Sequence, residues 1–398
     1  MVYKPSDFRG KVAIVGAIDA ASPTGVLGVS ERDLEVQMVK GALDNAGLKV
    51  SDVDGLFGTG MMMPTMELAE HMGITPRYTD STMTGGSSFE GHVQHAALAI
   101  AAGMCEVAVV FFASTPRARG KGLGDMSAMM GMMDPKNPMP MVEWEIPYGN
   151  VMPAGAYALA ASRHMALYGT TSEQLAQIAV STREWASRNP NARYQDPITI
   201  DDVLNSPKVA TPLHRLDCCL VTDGAGAVVL TTAERAKDLK QKPVYVLGAG
   251  TAHDHAMMIS EMPDLCTTPG VISGREAFSM AGVSPSDVDV VETYDSFTIT
   301  VALALEDLGF CEKGEAGAFV ADGRLGPGGA LPTNTNGGGL SYTHPGMYGM
   351  FLLVEAARQV SGQASDRQVE NVNIAVAHGC GGVLSCTSTL ILGSEDAL

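Results

Sequence analysis

Residues 42–54 read ALDNAGLKVSDVD, and residues 277–289 read AFSMAGVSPSDVD. Each sets Ala-Gly before a short turn, then Ser-Asp-Val-Asp before an apolar run, at a constant offset of 235 (Ala46 to Ala281, Asp52 to Asp287). A match of this length in one register marks a duplicated unit. Working outward, KVAIVGA at 11–17 pairs with KPVYVLGAG at 242–250 as the opening strand of each half. An alanine-rich helix at 91–103 and a strand at 107–112 pair with a helix at 348–362 and a strand at 372–377. Each half closes on a glycine-rich turn into a strand, DGAGAVVLTT at 223–232 and GCGGVLSCTSTLILG at 379–393. Strands alternating with helices give an α/β fold in which helices cover a mixed sheet. The halves are expected at 1–236 and 237–398, joined by the charged link 233–242. An insertion at about 115–212 has no counterpart in the second half.

The 398 residues include 45 glycines and 24 methionines, only 18% are charged, and the formal net charge is −18. That balance argues against nucleic acid or an anionic membrane surface as a partner, since both need a lysine and arginine footprint. Hydrophobic content of 45% is ample for a core. The opening MVYKPSDFRGKVAIVGA has no basic-then-apolar leader pattern, and Gly103 and Glu106 break the apolar window 96–113. A cytoplasmic chain without a membrane span is therefore expected. Seven scattered cysteines form no CxxC pair, so neither a disulfide framework nor a metal ribbon is expected. His253 and His255 read as a loop feature, and Cys218-Cys219 as small buried hydrophobes. Seven methionines between Met126 and Met141 mark the insertion. Flexible thioethers suit an adaptable apolar binding surface or, equally, a packed loop.

Walker, GxGxxG, GxSxG and HExxH signatures are absent. Dense polar groups instead gather in four segments at strand ends or helix starts, where such folds place their sites. TGGSSFEGH at 84–92 opens the first-half helix, and glycines there expose N–H groups that can hold an oxyanion. VETYDSF at 291–297 sets Tyr294 after an apolar strand. NTNGGGLSYTHPGMYGM at 334–350 brings Tyr342, His344 and Tyr348 to the start of the second-half helix. AVAHGCGG at 375–382 ends a strand on His378 and leads into Gly381.

At these four segments the chain resembles the thiolase superfamily, especially the sterol-carrier-protein-type thiolases and their bacterial thiolase-like relatives. VETYDSFTITVALALEDLGF, THPGMYG, AHGCGG and LDCCLVTDGAGAVVL carry the likeness, which runs over nearly the whole chain. The resemblance implies two βαβαβαββ halves in a five-layered α-β-α-β-α arrangement, a homodimer, a CoA-thioester substrate and oxyanion holes at the helix starts. It also places the family's nucleophilic cysteine on Gly86, with Ser87 and Ser88 following. Tyr294 stands where the family has Asn or His, His378 where it has its last catalytic cysteine, and His344 is kept.

Glycine cannot form an acyl-enzyme, yet such a site can still stabilise a thioester enolate. The resemblance thus points to thiolase-like aldolases that shorten steroid side chains beside a separate OB-fold and zinc-ribbon subunit. Retro-aldol cleavage needs a base for the β-hydroxyl proton, Tyr294 first or His378 second. His344 and the N–H groups near Gly86, Ser87 and Gly381 suit the enolate, and Tyr348, Tyr342 or His378 could return the proton. No metal or bound cofactor is called for, coenzyme A being part of the substrate. An acyltransferase using Ser87 or Cys380, and a silent lipid-CoA carrier or scaffold, stay open as alternatives.

Overall fold

The computed structural model describes residues 8–60, 62–120, 139–150 and 153–398. The first half runs β1 (Val12–Ala20), α1 (Glu31–Ala46), β2 (Gly55–Gly58), α2 (Pro64–Met72), β3 (Tyr78–Asp80), α3 (Ser88–Ala101) and β4 (Val107–Ser114). The insertion contributes α4 (Ala154–Tyr168), α5 (Ser172–Ala186) and a ribbon of β5 (Lys208–Ala210) and β6 (Leu213–His214), before β7 (Gly224–Thr232) closes the half. The second half runs β8 (Val244–His253), α6 (Gly270–Ala281), β9 (Val290–Thr293), α7 (Thr298–Asp307), α8 (Gly349–Ser361), β10 (Ile374–Gly381) and β11 (Cys386–Gly393).

The duplicated Ser-Asp-Val-Asp motif does the same work twice. Asp52 accepts the Lys49 N–H at 2.7 Å and Asp287 accepts the Ser284 N–H at 2.8 Å, each closing one tight turn. Two residues on, Asp54 accepts from Glu106 and Val107 at 2.8 and 2.9 Å, where β4 begins. Asp289 accepts from Asn373 and Ile374 at 2.7 and 2.9 Å, where β10 begins. The valines between the acids, Val53 and Val288, are buried. Each second carboxylate thus satisfies two strand-opening N–H groups, and losing one would leave both without a partner. The opening strands are matched as closely. A Cβ on Gly16 would overlap the Ala42 carbonyl of α1, and one on Gly248 would overlap the Ala277 carbonyl of α6. Glycine there lets each outer helix lie against its strand.

The strands form one nine-stranded sheet in the order β3-β2-β4-β7-β1-β8-β11-β10-β9. The halves meet through a short antiparallel pairing of Ala13 with Tyr245 and Ile14 with Val244. Helices α3 and α8 form the central layer, each packed against strands of both halves, while α1 and α6 cover the outer faces. The five-layered α-β-α-β-α arrangement that the resemblance implies follows. The second half departs from the expected pattern at its third strand, which is reduced to a single parallel bridge between Val291 and Thr333. Helix α8 buries Met350, Phe351, Leu352, Leu353 and Val354 completely. At ~1.5–3 kcal/mol for each such side chain, this core position explains why its opening turns carry no polar face.

The insertion is tied to the second half by a wholly buried pair, His164 Nε2 and Glu306 Oε1 at 3.0 Å. Of the seven clustered methionines, those at 126–133 lie outside the described residues. Among the described residues no helix is long and apolar enough to cross a membrane.

Candidate active site

Two opposed elements build the site. Strand β9 ends at Thr293, and the Tyr294 N–H is fixed by the His378 carbonyl on β10 at 2.9 Å. Its side chain reaches the glycine turn that opens α3. A Cβ built on Gly86 would overlap the Tyr294 ring and lie 2.5 Å from the Cys380 carbonyl oxygen. The phenol ring therefore fills the space that any side chain at Gly86 would need. Tyr294 Oη accepts the Tyr348 N–H at 3.2 Å and lies 3.0 Å from His344 Nε2. The ring stands edge-on to His344 and Tyr348, whose own rings stack on each other.

Burial sets the protonation states. His344 is pushed down to about 4, so its imidazole is neutral, while burial holds the Tyr294 phenol well above its ordinary range. With the Tyr348 N–H donating to Tyr294 Oη, we assign the phenol's own hydrogen to His344 Nε2. That arrangement puts the imidazole proton on Nδ1, an assignment made from the hydrogen-bond network.

The turn facing Tyr294 is made of backbone. A Cβ at Gly85 would lie 2.8 Å from Gly382 N and 3.0 Å from Gly381 Cα, so the two glycine turns touch. The Ser88 N–H that opens α3 returns to the Gly85 carbonyl, so a tight glycine turn leads into the helix at this junction. Both serines spend their hydroxyls on the turn. Ser87 Oγ donates to the Thr84 carbonyl at 3.0 Å, and Ser88 Oγ donates to the Gly85 carbonyl at 2.7 Å. Cys380 is buried with its thiol pushed up to about 12, the opposite of an activated nucleophile.

The structure thus brings together Gly86, Ser87, Gly381, Tyr294, His344 and the backbone of Tyr348. Tyr342 does not join them, which corrects the sequence expectation. The wide turn at Gly338–Tyr342 directs its hydroxyl to Asp19 Oδ2 at 2.9 Å, where Arg358 also pairs at 2.7 Å. The Tyr348 hydroxyl is likewise committed, donating to Asn336 Oδ1 at 2.8 Å, so its N–H is what the site receives. His378 lies within β10 rather than at its end. Strand alternation turns its imidazole away from the face where Gly379 and Gly381 meet α3. The ring bonds Thr389 Oγ1 at 2.9 Å and lies against Gly270. Burial takes it down to about 4, neutral like His344.

Three further residues lie near the site: Asp295, which the sequence sets with Tyr294 after an apolar strand, and Tyr157 and Glu90, which it leaves unmarked. Tyr157 of α4 stacks on Phe297 at 4.4 Å between ring centres, and burial raises its phenol. Asp295, next to Tyr294, accepts the N–H groups of Gly339 and Leu340 at 2.6 and 3.1 Å and so holds the GGG turn ahead of His344. Glu90 is wholly buried in the first turn of α3. A signal for it existed, because it is the one Asp, Glu, Lys or Arg between Asp80 and Glu106. His255 bonds the Val383 carbonyl at 2.9 Å and ties its loop to the second glycine turn. Chemically, the arrangement can pass a proton from a hydroxyl through Tyr294 to His344 beside a cluster of backbone donors. It offers no activated nucleophile.

A thiolase C-terminal domain-like family model matches residues 250–394. The steroid side-chain-cleaving aldolase of Thermomonospora curvata is 38% identical over 394 residues, covering 97% of this chain and 98% of that one. The 17-hydroxy-3-oxo-4-pregnene-20-carboxyl-CoA lyase of Mycobacterium tuberculosis is 38% identical over 391 residues, covering 96% and 99%. The solved structure of the Ltp2-ChsH2(DUF35) aldolase matches with a TM-score of 0.86 at 35% identity, covering 98% of this chain and 99% of that chain.

Proposed function

The chain belongs to the thiolase superfamily, alongside its steroid side-chain-cleaving aldolases, and from that premise we propose the reaction it catalyses. It is a carbon–carbon lyase that splits a β-hydroxyacyl-CoA thioester into a ketone or aldehyde and a shorter acyl-CoA. The observation that carries this reading is the Tyr294 ring in the space beside Gly86, with its hydroxyl on a neutral His344.

A phenol whose pKa is raised is a poor base alone, so Tyr294 acts as a relay. The substrate's β-hydroxyl proton passes to Tyr294 Oη as the phenol proton passes to His344 Nε2. The electrons of the Cα–Cβ bond move to the thioester as an enolate, and the β-carbon leaves as the carbonyl product. The imidazolium and the enolate appear together, so each offsets the cost of burying the other. Backbone donors at the Gly86–Ser87 and Gly381–Gly382 turns hold the developing oxyanion, at ~3–4 kcal/mol per donor. The proton then returns through Tyr294 to the enolate carbon, leaving the site as it began. Coenzyme A enters and leaves as part of substrate and product, and no bound cofactor takes part.

The acyltransferase alternative needs a nucleophile that Ser87 and Cys380 are poorly placed to supply, given the bound hydroxyl and the neutral thiol. A bulky, steroid-like acyl group is supported by an apolar pocket lined by Met139, Met141, Met257 and Met258. Its loop continues into Ala256, whose carbonyl abuts Gly382 at the edge of the site. A homodimer is supported by β3, an open sheet edge flanked by exposed Leu98 and Met104. An OB-fold and zinc-ribbon partner is supported by the solved neighbour, which is named for two components, and by exposed Trp144 and Tyr148 here. A cytoplasmic location completes the proposal.

The chain should be co-expressed with any small OB-fold protein encoded beside it and supplied with steroid and short-chain β-hydroxyacyl-CoA thioesters. Equimolar ketone or aldehyde and shortened acyl-CoA are expected, and no cleavage of any thioester would overturn the assignment.

A further inference from the structure

Behind the Gly86 turn lies a carboxyl group that the relay does not use. Glu90 is wholly buried, and neither of its carboxyl oxygens has a hydrogen-bond partner among the described residues. Its socket is shaped by glycine. A Cβ on Gly349 would lie 2.5 and 2.8 Å from the two carboxyl oxygens and would overlap the Gly86 carbonyl oxygen. A Cβ on Gly379 would overlap the carboxyl itself and lie 2.8 Å from Ser87 Cα. The acid and the Gly86 carbonyl therefore face one small space, kept open by glycines from α8 and β10. Gly349 directly follows Tyr348, whose N–H holds Tyr294 Oη. An unpartnered buried carboxyl is costly unless it has work to do.

We propose, building on the aldolase reading, that Glu90 is a positioning residue. Its carboxylic acid O–H turns to the Gly86 carbonyl and fixes the Gly86–Ser87 peptide, whose N–H faces the developing enolate. The surroundings suit a neutral acid. Tyr294 at the end of β9, His344 and Tyr348 ahead of α8, and His92 on α3 itself are uncharged at neutral pH, and so are His378 and Cys380 on the other face of β10. No cation among them favours a carboxylate, and burial pushes Glu90 up to about 8. Asp295 is raised to about 7 but has the Gly339 and Leu340 N–H groups to carry its charge, whereas Glu90 has only its own backbone N–H to set against burial.

The test uses the co-expressed complex. Glu90→Gln keeps the shape and a donor but cannot ionise. Its kcat at pH 7 is expected within about threefold of the native value, with the alkaline fall near pH 8 moved up by a unit or more. Glu90→Leu, which has no donor, is expected to lose about tenfold in kcat with KM changed less than about twofold. A native kcat in Glu90→Leu, or an unmoved alkaline limb in Glu90→Gln, would overturn the proposal. Infrared titration of protein carrying labelled glutamate reads the acid directly, even where a variant folds poorly. A protonated carbonyl band that persists at pH 7 is expected, and its loss already by pH 6 would overturn the proposal whatever the turnover. Failure of the native complex to cleave any thioester would instead count against the aldolase reading.

Discussion

The two halves share their outer frame and differ where their central helices begin. Asp54 and Asp289 clamp the starts of β4 and β10 with matching pairs of hydrogen bonds, and Gly16 and Gly248 let α1 and α6 approach in the same way. At the inner ends the likeness stops. Helix α3 opens on Gly85 and Gly86, with no side chain above the turn, whereas α8 opens behind His344 and Tyr348. Glu90 and Gly349 stand at the same distance before the left-handed glycines Gly103 and Gly362, one an acid and the other its socket. One helix start makes room and the other, with Tyr294, fills it. The frame holds because each clamp carboxylate satisfies two N–H groups at the start of a strand.

Breaking the filled side should have the largest effect. Tyr294→Phe is expected to lower kcat by ~10²–10⁴ and to cost about 1–3 kcal/mol of stability, because the buried Tyr348 N–H and His344 Nε2 lose their partner. Steady-state turnover checks this, and a rate within threefold of native would detach the phenol from the reaction. Breaking the open side comes next. Gly86→Ala drives a methyl into the Tyr294 ring and should cost ~1–3 kcal/mol of stability. That cost should shrink in a Tyr294→Ala background, where the space is vacated, so a double-mutant cycle in urea should be strongly non-additive. Additive costs would show that the two residues do not compete for one volume.

The frame offers the control. Asp54→Ala and Asp289→Ala should each lose about 1–2 kcal/mol of stability while kcat changes little, since each frees two strand-opening N–H groups, one exposed and one part-buried, far from the site. Denaturant melts of the two variants should agree within about 1 kcal/mol, and a wider gap would mean the halves are not equivalent at this clamp. The smallest effect concerns pH. His344 is pushed down to about 4 in the fold, so lowering the pH from 7 to 5.5 should change kcat less than about twofold. An imidazole of ordinary pKa would lose about tenfold over that range. Stability runs the other way. The unfolded chain takes up its histidine proton near 6.5, so the contribution of neutral His344 to stability declines as pH falls from about 6.5 towards 4. A kcat profile that fell near pH 6.5 would contradict the buried neutral imidazole.

Much of this is legible in the sequence. The repeat placed the strands and the central helices, and the resemblance placed Gly86, Tyr294 and His344 near one another. What stayed hidden depends on side-chain direction or on elements outside the repeat. Tyr342 sits in a loop whose wide turn could not be foreseen, and that turn sends its hydroxyl to Asp19. The strand that the sequence ends on His378 runs on to Gly381, and that extension decides which face the imidazole occupies. The missing third strand of the second half is replaced by Asn334, in a left-handed conformation, whose Oδ1 accepts the Thr293 N–H at 2.8 Å. A side-chain amide doing a strand's work leaves no alternating pattern. Tyr157 belongs to the insertion, where pairing the halves gives no guide.

The central claim is that a tyrosine hydroxyl beside a glycine turn breaks the carbon–carbon bond with no covalent intermediate. Rapid-quench mass spectrometry of the intact protein during turnover of a β-hydroxyacyl-CoA tests it most directly. The expected result is equimolar ketone or aldehyde and shortened acyl-CoA from protein of unchanged mass. An acyl adduct on Ser87 or Cys380, formed and lost at the rate of turnover, would contradict it.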